Sequence, residues 1–136
     1  MRLKLLYEDR FEVVATMEGD DCETDDFLNR GQDYLSSRQG LQLMLAHVAK
    51  HGLSEIPAAW FHEANKNEKI YEFIKGDLRL FFFKGDGRRI AVCTTGVLKK
   101  GRKADKSAVA KAIKLRAIYI AAVTAKTIEV MTDENE

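Results

Sequence analysis

Arg79 is the residue whose surroundings most demand an explanation. It sits near the start of Leu78-Arg79-Leu80-Phe81-Phe82-Phe83, a run that is otherwise wholly hydrophobic. A charge in such a run must be paired or must open onto a cleft, because burying it alone is very costly. Two partners are open to it. Glu72, in the neighbouring run, can form a salt bridge; alternatively the guanidinium can be aimed at a phosphate, which its planar donor fork suits. A second group is Thr95-Gly96-Val97-Leu98-Lys99-Lys100-Gly101-Arg102-Lys103, with four basic residues in five positions. Their mutual repulsion calls for counter-ions or a polyanion, and phosphate contacts of this kind are strongly salt-dependent. A solvated loop has the same composition, so the motif is only moderately specific.

The other candidates are weaker. His47 and His51 share one face of an expected helix, but no further His or Cys completes a metal set. They read as a surface or partly packed pair. His62 falls in a connection and is set aside as an acid or base. Cys22 and Cys93 match no metal spacing and read as free thiols of a reducing cytoplasm. No glycine-rich phosphate loop, nucleophile elbow or metalloprotease motif is present, and no metal or cofactor is expected.

These residues need a scaffold, and 136 residues suffice for one domain. Neither a signal peptide nor a membrane-spanning run is expected. Leu3 to Tyr7 and then Phe11 to Val14 have strand-like composition, broken by an acidic loop at Glu18 to Asp21. A helix is expected from Thr24 or Asp25, with Phe27, Leu28, Tyr34 and Leu35 on its apolar face. A second spans Leu41 to Lys50, with Leu41, Leu45 and Val48 in one stripe, Met44 beside it and a left-handed C-cap at Gly52. Leu53 to Asn67, with the single proline Pro57, reads as a surface connection. Ile70 to Ile74, Leu78 to Phe83 and Ile90 to Thr95 are short strands separated by turn sequences, a three-stranded antiparallel meander with Leu78–Phe83 central. A basic linker, Lys99 to Asp105, leads to a last helix from Lys106 to Val123, and 127–136 is expected to fray.

Charge divides the chain. The net charge is +1, yet Lys75 to Arg116 holds 13 Lys and Arg against Asp77, Asp86 and Asp105, a net of +10. The remainder, with 9 basic and 18 acidic residues, carries −9. Such asymmetry points to a polyanion footprint on part of a nearly neutral molecule, although a solvated charged face is the common alternative.

Taken together, Ile70-Tyr71-Glu72-Phe73, Leu78-Arg79-Leu80-Phe81-Phe82-Phe83, Thr95-Gly96-Val97-Leu98-Lys99-Lys100, Ala112 to Arg116 and Tyr119 resemble the RelE/ParE superfamily, in particular its phage-derived HigB-like branch. The specific part of the resemblance lies between Ile70 and Tyr119. It implies an α+β fold over 1–136: a twisted antiparallel sheet, made of an N-terminal strand and the meander, with two N-terminal helices and one C-terminal helix. It also implies the toxin of a type II toxin–antitoxin pair, a metal-independent endoribonuclease that cuts messenger RNA on the ribosome. Arg79, Lys99 and Tyr119 would then be catalytic, with Lys75, Lys100, Arg102, Lys103 and Arg116 holding RNA. The implied partners are messenger RNA, the ribosome and a helix-turn-helix antitoxin covering the basic cleft. A homodimer is open, no membrane is involved, and the place of action is the cytoplasm. The chain departs from the family pattern at Ile74, where an Arg is frequent, and at Thr95, where a His is frequent. The resemblance therefore assigns no general base; a lysine could serve only if neighbouring cations lowered its pKa. The alternative reading is a non-catalytic or gyrase-directed binding protein of the same fold, a ParE-like toxin or a decayed phage protein.

Overall fold

The computed structural model describes residues 1–30, 32–99, 101 and 103–133. Its architecture follows from the strand Leu78–Phe83 (β5), every residue of which is buried except Arg79. Successive side chains of a strand point to opposite faces, so an apolar strand of this kind needs cover on both sides. Leu78, Leu80 and Phe82 enter one core, and Phe81 and Phe83 enter the other.

Among the described residues, seven strands form one mixed sheet. In chain order they are β1 (Arg2–Glu8), β2 (Glu12–Thr16), β3 (Phe61–Asn65), β4 (Ile70–Lys75), β5, β6 (Arg89–Leu98) and β7 (Glu129–Met131). Their order across the sheet is β3-β4-β5-β6-β2-β1-β7. The β4-β5-β6 meander is antiparallel, as its turn residues foretell, and Gly76 takes a φ of +57° in the tight β4–β5 turn. Among the described residues, three α-helices complete the α+β domain: α1 (Glu23–Asn29), α2 (Leu35–His51) and α3 (Lys106–Ala125). The first core joins Leu28 of α1 and Leu41, Met44, Leu45 and Val48 of α2 to one face of the sheet. The second joins Ala108, Ala112 and Tyr119 of α3 to the other. No helix among the described residues is long and apolar enough to cross a membrane.

Several expectations are corrected. The sheet is mixed, because β2 pairs parallel with β6 and β1 pairs parallel with β7. The N-terminal strand is a hairpin, β1 antiparallel to β2. Its second member fills the position beside β6 that a simple meander leaves open. The segment 127–136 is not wholly frayed: Glu129 to Met131 pair with Arg2 to Lys4, and the Met1 ammonium donates to the Thr127 carbonyl at 2.9 Å. The connection after Leu53 contains a strand, since Phe61–Asn65 pairs with β4.

The helices also differ from expectation. α1 begins at Glu23, after an N-cap at Cys22 rather than at Thr24 or Asp25, and its first-turn Glu23, Asp25 and Asp26 complement the helix dipole in place of a side-chain cap. Tyr34 and Leu35 lie beyond its end and are 47% exposed, so they do not extend its apolar face. Gly52 has φ +84° but an extended ψ of 170°, which is not the left-handed helical cap. α3 starts where expected, with Asp105 accepting a hydrogen bond from the Ala108 amide at 2.9 Å.

Glu23 links the two layers. It accepts hydrogen bonds from Thr95 on β6 and from Lys111 on α3. Burial pushes its carboxyl up, but the bonds from Lys111 and Thr95 outweigh that, and it titrates below the ordinary carboxylate value. The two cysteines are free, and burial raises both thiols, which makes them poor nucleophiles.

Phe73 and Phe82 stack with centroids 4.0 Å apart at the centre of the first core. Phe82→Ala is expected to lower stability by about 3–5 kcal/mol, measured by equilibrium urea unfolding. A loss below about 1 kcal/mol would mean that this stack is not central to the core.

Candidate functional site

The site is a cleft on the α3 face of the sheet. Its volume is about 710 Å³, and Glu72, Arg79, Phe81, Val97, Lys99, Lys103 and Asp105 are among its lining residues. Four elements build it. β4 and β5 supply Glu72 and Arg79, β6 supplies its exit, and the linker to α3 supplies Lys103. Strand alternation explains the placement, because Arg79 lies two residues before Phe81 and so points to the same face. Lys99 is anchored by its own amide, which donates to the Asp77 carbonyl at 2.7 Å. This bond ties the strand exit to the β4–β5 turn.

Arg79 both pairs and opens onto the cleft. Its side chain is only 12% exposed. One terminal nitrogen, Nη1, donates to the carbonyls of Gly76 at 2.7 Å and Leu78 at 2.9 Å. Its Nε lies 3.7 Å from Oε1 of Glu72, beyond hydrogen-bond range, and has no hydrogen-bond partner among the described residues. The ion pair with Glu72 that its setting allows is therefore present but loosely made.

Glu72 is the buried centre of the arrangement, with a side chain 2% exposed. Its Oε1 stands 2.7 Å from Nε2 of His62, directly across the β3–β4 ladder. Its Oε2 has no hydrogen-bond partner among the described residues. His62 was set aside in the sequence because it reads as part of a loop. The signal that could have found it was the short β-prone stretch Phe61-His62, four residues before the turn that precedes Ile70.

The other expected site residues disperse. Lys100 and Arg102 lie outside the described residues. Lys103 is exposed at the cleft mouth, and neither it nor Lys99 has an ion pair among the described residues. Lys75 lies on the opposite face. Its methylenes cover Gly40 of α2 so closely that a Cβ there would stand 2.5 Å from the Lys75 Cε. Arg116 is half-buried on α3 and does not line the cleft. Tyr119 is buried beyond the far end of β5, edge-on to Phe83. Its hydroxyl donates to Asp86 and accepts from Arg89 at 3.1 Å. Burial and the Asp86 carboxylate raise that hydroxyl above its ordinary value.

The fold also redistributes the charge. Lys111 pairs with Glu18 and Glu23, Arg88 with Glu8 and Glu12, and Arg89 with Glu12 and Asp86. Three cations of the basic segment are thus paired with acids of the N-terminal half, and the cleft keeps Arg79, Lys99 and Lys103 against Glu72 and Asp105. Chemically, such a site can hold an anion, stabilise negative charge on it, and offer one imidazole backed by a carboxylate.

Neither the models of known protein families nor the sequences of curated proteins match this chain. What fold and site define is a class: an α+β domain with a cationic cleft over a buried carboxylate that is paired with an exposed imidazole on the edge strand.

The two roles of Arg79 can be separated by substitution. Arg79→Ala leaves Glu72 buried without its cation and is expected to cost on the order of 3 kcal/mol. Adding Glu72→Gln removes the stranded charge and should return more than half of that loss. Chemical denaturation of both single variants and the double variant measures the coupling; strict additivity would mean that the pair contributes nothing.

Proposed function

We propose that this protein is a metal-independent endoribonuclease of the RelE/ParE kind, the toxin of a type II toxin–antitoxin pair, acting on translated messages. The observation that carries the reading is the convergence of Arg79, Lys99 and Lys103 on one cleft above a carboxylate–imidazole pair. Cleaving RNA through its own 2′-hydroxyl requires cations against the charge that grows on the phosphate and a group to move a proton. A cation of the cleft and an imidazole beside it meet at one carboxylate oxygen, since Oε1 of Glu72 lies 3.7 Å from Nε of Arg79 and 2.7 Å from Nε2 of His62. In this reading a small antitoxin neutralises the protein by covering the cleft, and the ribosome presents the message.

A second reading has its own support. Arg79 already has acidic and carbonyl partners, which suits a non-catalytic or gyrase-directed binding protein of the same fold. The two separate on induced expression of the chain in a bacterium without its partner, with transcript ends mapped within minutes. Growth arrest with new cuts in translated messages is the expected outcome. Arg79→Lys keeps a charge opposite Glu72 but loses the planar fork, so it should leave the melting temperature nearly unchanged and abolish the cuts. Intact messages beside DNA damage would favour the gyrase-directed reading.

The cleft lysines give a quantitative check in vitro. Each of Lys99→Ala and Lys103→Ala is expected to lower the slope of log affinity against log salt for single-stranded RNA by about 0.7. Fluorescence anisotropy of a labelled RNA oligonucleotide measures it, and unchanged slopes would remove these lysines from the phosphate contacts.

A further inference from the structure

We propose that His62 is the general base of this cleft and that Glu72 is its positioning residue, an assignment that rests on the ribonuclease reading above. Neither residue is among the cations that the sequence singles out, and the assignment comes from their geometry.

Glu72 is buried with one oxygen, Oε2, unpartnered among the described residues, yet it lines the cleft. A carboxylate held so far from water is costly unless its surroundings use it. Its other oxygen is 2.7 Å from Nε2 of His62, while the His62 side chain is 51% exposed. The pair therefore has a buried member that orients and an accessible member that can meet a substrate. The register enforces this division. His62 faces Glu72 across the ladder, and β3 is the edge strand of the sheet, so the imidazole lies at the sheet edge, on the outer side of the carboxylate that lines the cleft.

With Glu72 ionised, Nε2–H of His62 donates to Oε1, which leaves the lone pair on Nδ1 to accept a proton. A carboxylate behind an imidazole fixes its tautomer and stabilises the imidazolium that forms. The Arg79 guanidinium, 3.7 Å from the same carboxylate oxygen, puts a cation of the cleft on the other side of that oxygen from the imidazole. In the proposed step Nδ1 takes the proton of the 2′-hydroxyl while the 2′ oxygen forms a bond to phosphorus. The bond from phosphorus to the 5′ oxygen breaks, and that oxygen takes a proton from water. The products are a 2′,3′-cyclic phosphate and a 5′-hydroxyl. The imidazolium returns its proton to the hydroxide left in solvent, so the site is regenerated with no oxidant, reductant or metal consumed. Arg79 and Lys99 oppose the charge on the non-bridging oxygens during the transfer.

The plain alternative is that the pair only clasps the edge strand β3 to β4. The test uses the full chain with ribosomes programmed with a defined message, alongside His62→Ala, His62→Gln and Glu72→Gln, each with its melting temperature. His62→Ala is expected to lower kcat by ~10²-fold or more with little change in KM, and added imidazole should restore part of the rate. His62→Gln keeps a donor to Glu72, so it should fold normally and stay inactive. Glu72→Gln should lower kcat and shift the limb of the pH–rate profile that His62→Ala removes. Wild-type cleavage matched by His62→Gln, or a loss in His62→Ala that imidazole does not repair while the pH profile stays unchanged, overturns the assignment and leaves the ribonuclease reading standing. A wild-type protein that cuts no message overturns both.

Discussion

The structure depends on a strand that is apolar on both faces and charged at one end. β5 needs a core on each side, which dictates helices above and below the sheet. α1 and α2 meet Leu78, Leu80 and Phe82, and α3 meets Phe81 and Phe83. Arg79 is the exception in the strand, and it occupies the place where cover from α3 has not yet begun. Gly101, Lys103 and Ala104, of the linker before α3, line the cleft there, and Asp105 then caps the helix. The cleft is thus a consequence of how a two-sided core ends, and its cation is a consequence of what such an end can tolerate.

Electrostatics then sorts the cations by location. Arg88 and Arg89 at the β5–β6 turn and Lys111 on α3 meet carboxylates of the N-terminal half, as Lys111 does with Glu23 and Arg89 with Glu12. Such contacts hold the layers together and contribute little to binding a partner. Lys99 and Lys103 have no such partner among the described residues, and they stand beside Arg79. A net charge of +10 over a segment overstates the field at any one point, since folding brings the compensating acids back. At the cleft, Arg79, Lys99 and Lys103 stand against Glu72 and Asp105.

Resemblance and geometry bear on the site differently. The resemblance singles out cations and Tyr119. The geometry keeps Arg79, Lys99 and Lys103 together, sends Lys75 to the other face, and holds the Tyr119 hydroxyl between Asp86 and Arg89 at the far end of β5. Of the carboxylate–imidazole pair, Glu72 lines the cleft and His62 stands beside it on the edge strand. Edge strand β3 is what makes that possible, because it carries an exposed histidine opposite a buried glutamate.

The meander, the central position of β5, the start of α3 and the tension at Arg79 were all legible in the residues. Each rests on local chemistry: turn glycines, two-faced apolarity, a capping aspartate and the cost of an unpaired charge. The parallel pairings β2–β6 and β1–β7 were not legible, because strands far apart in sequence meet without any turn to announce them. β3 was hidden by its own exposure, since an edge strand with polar side chains looks like a loop. The His62–Glu72 pair was hidden with it, for a cross-strand contact exists only once register is set. The amino-acid sequence by itself determined which side chains could do chemistry; tertiary structure alone decided which of them share one cleft, because strand register and the cover of each face are settled by packing across the whole sheet.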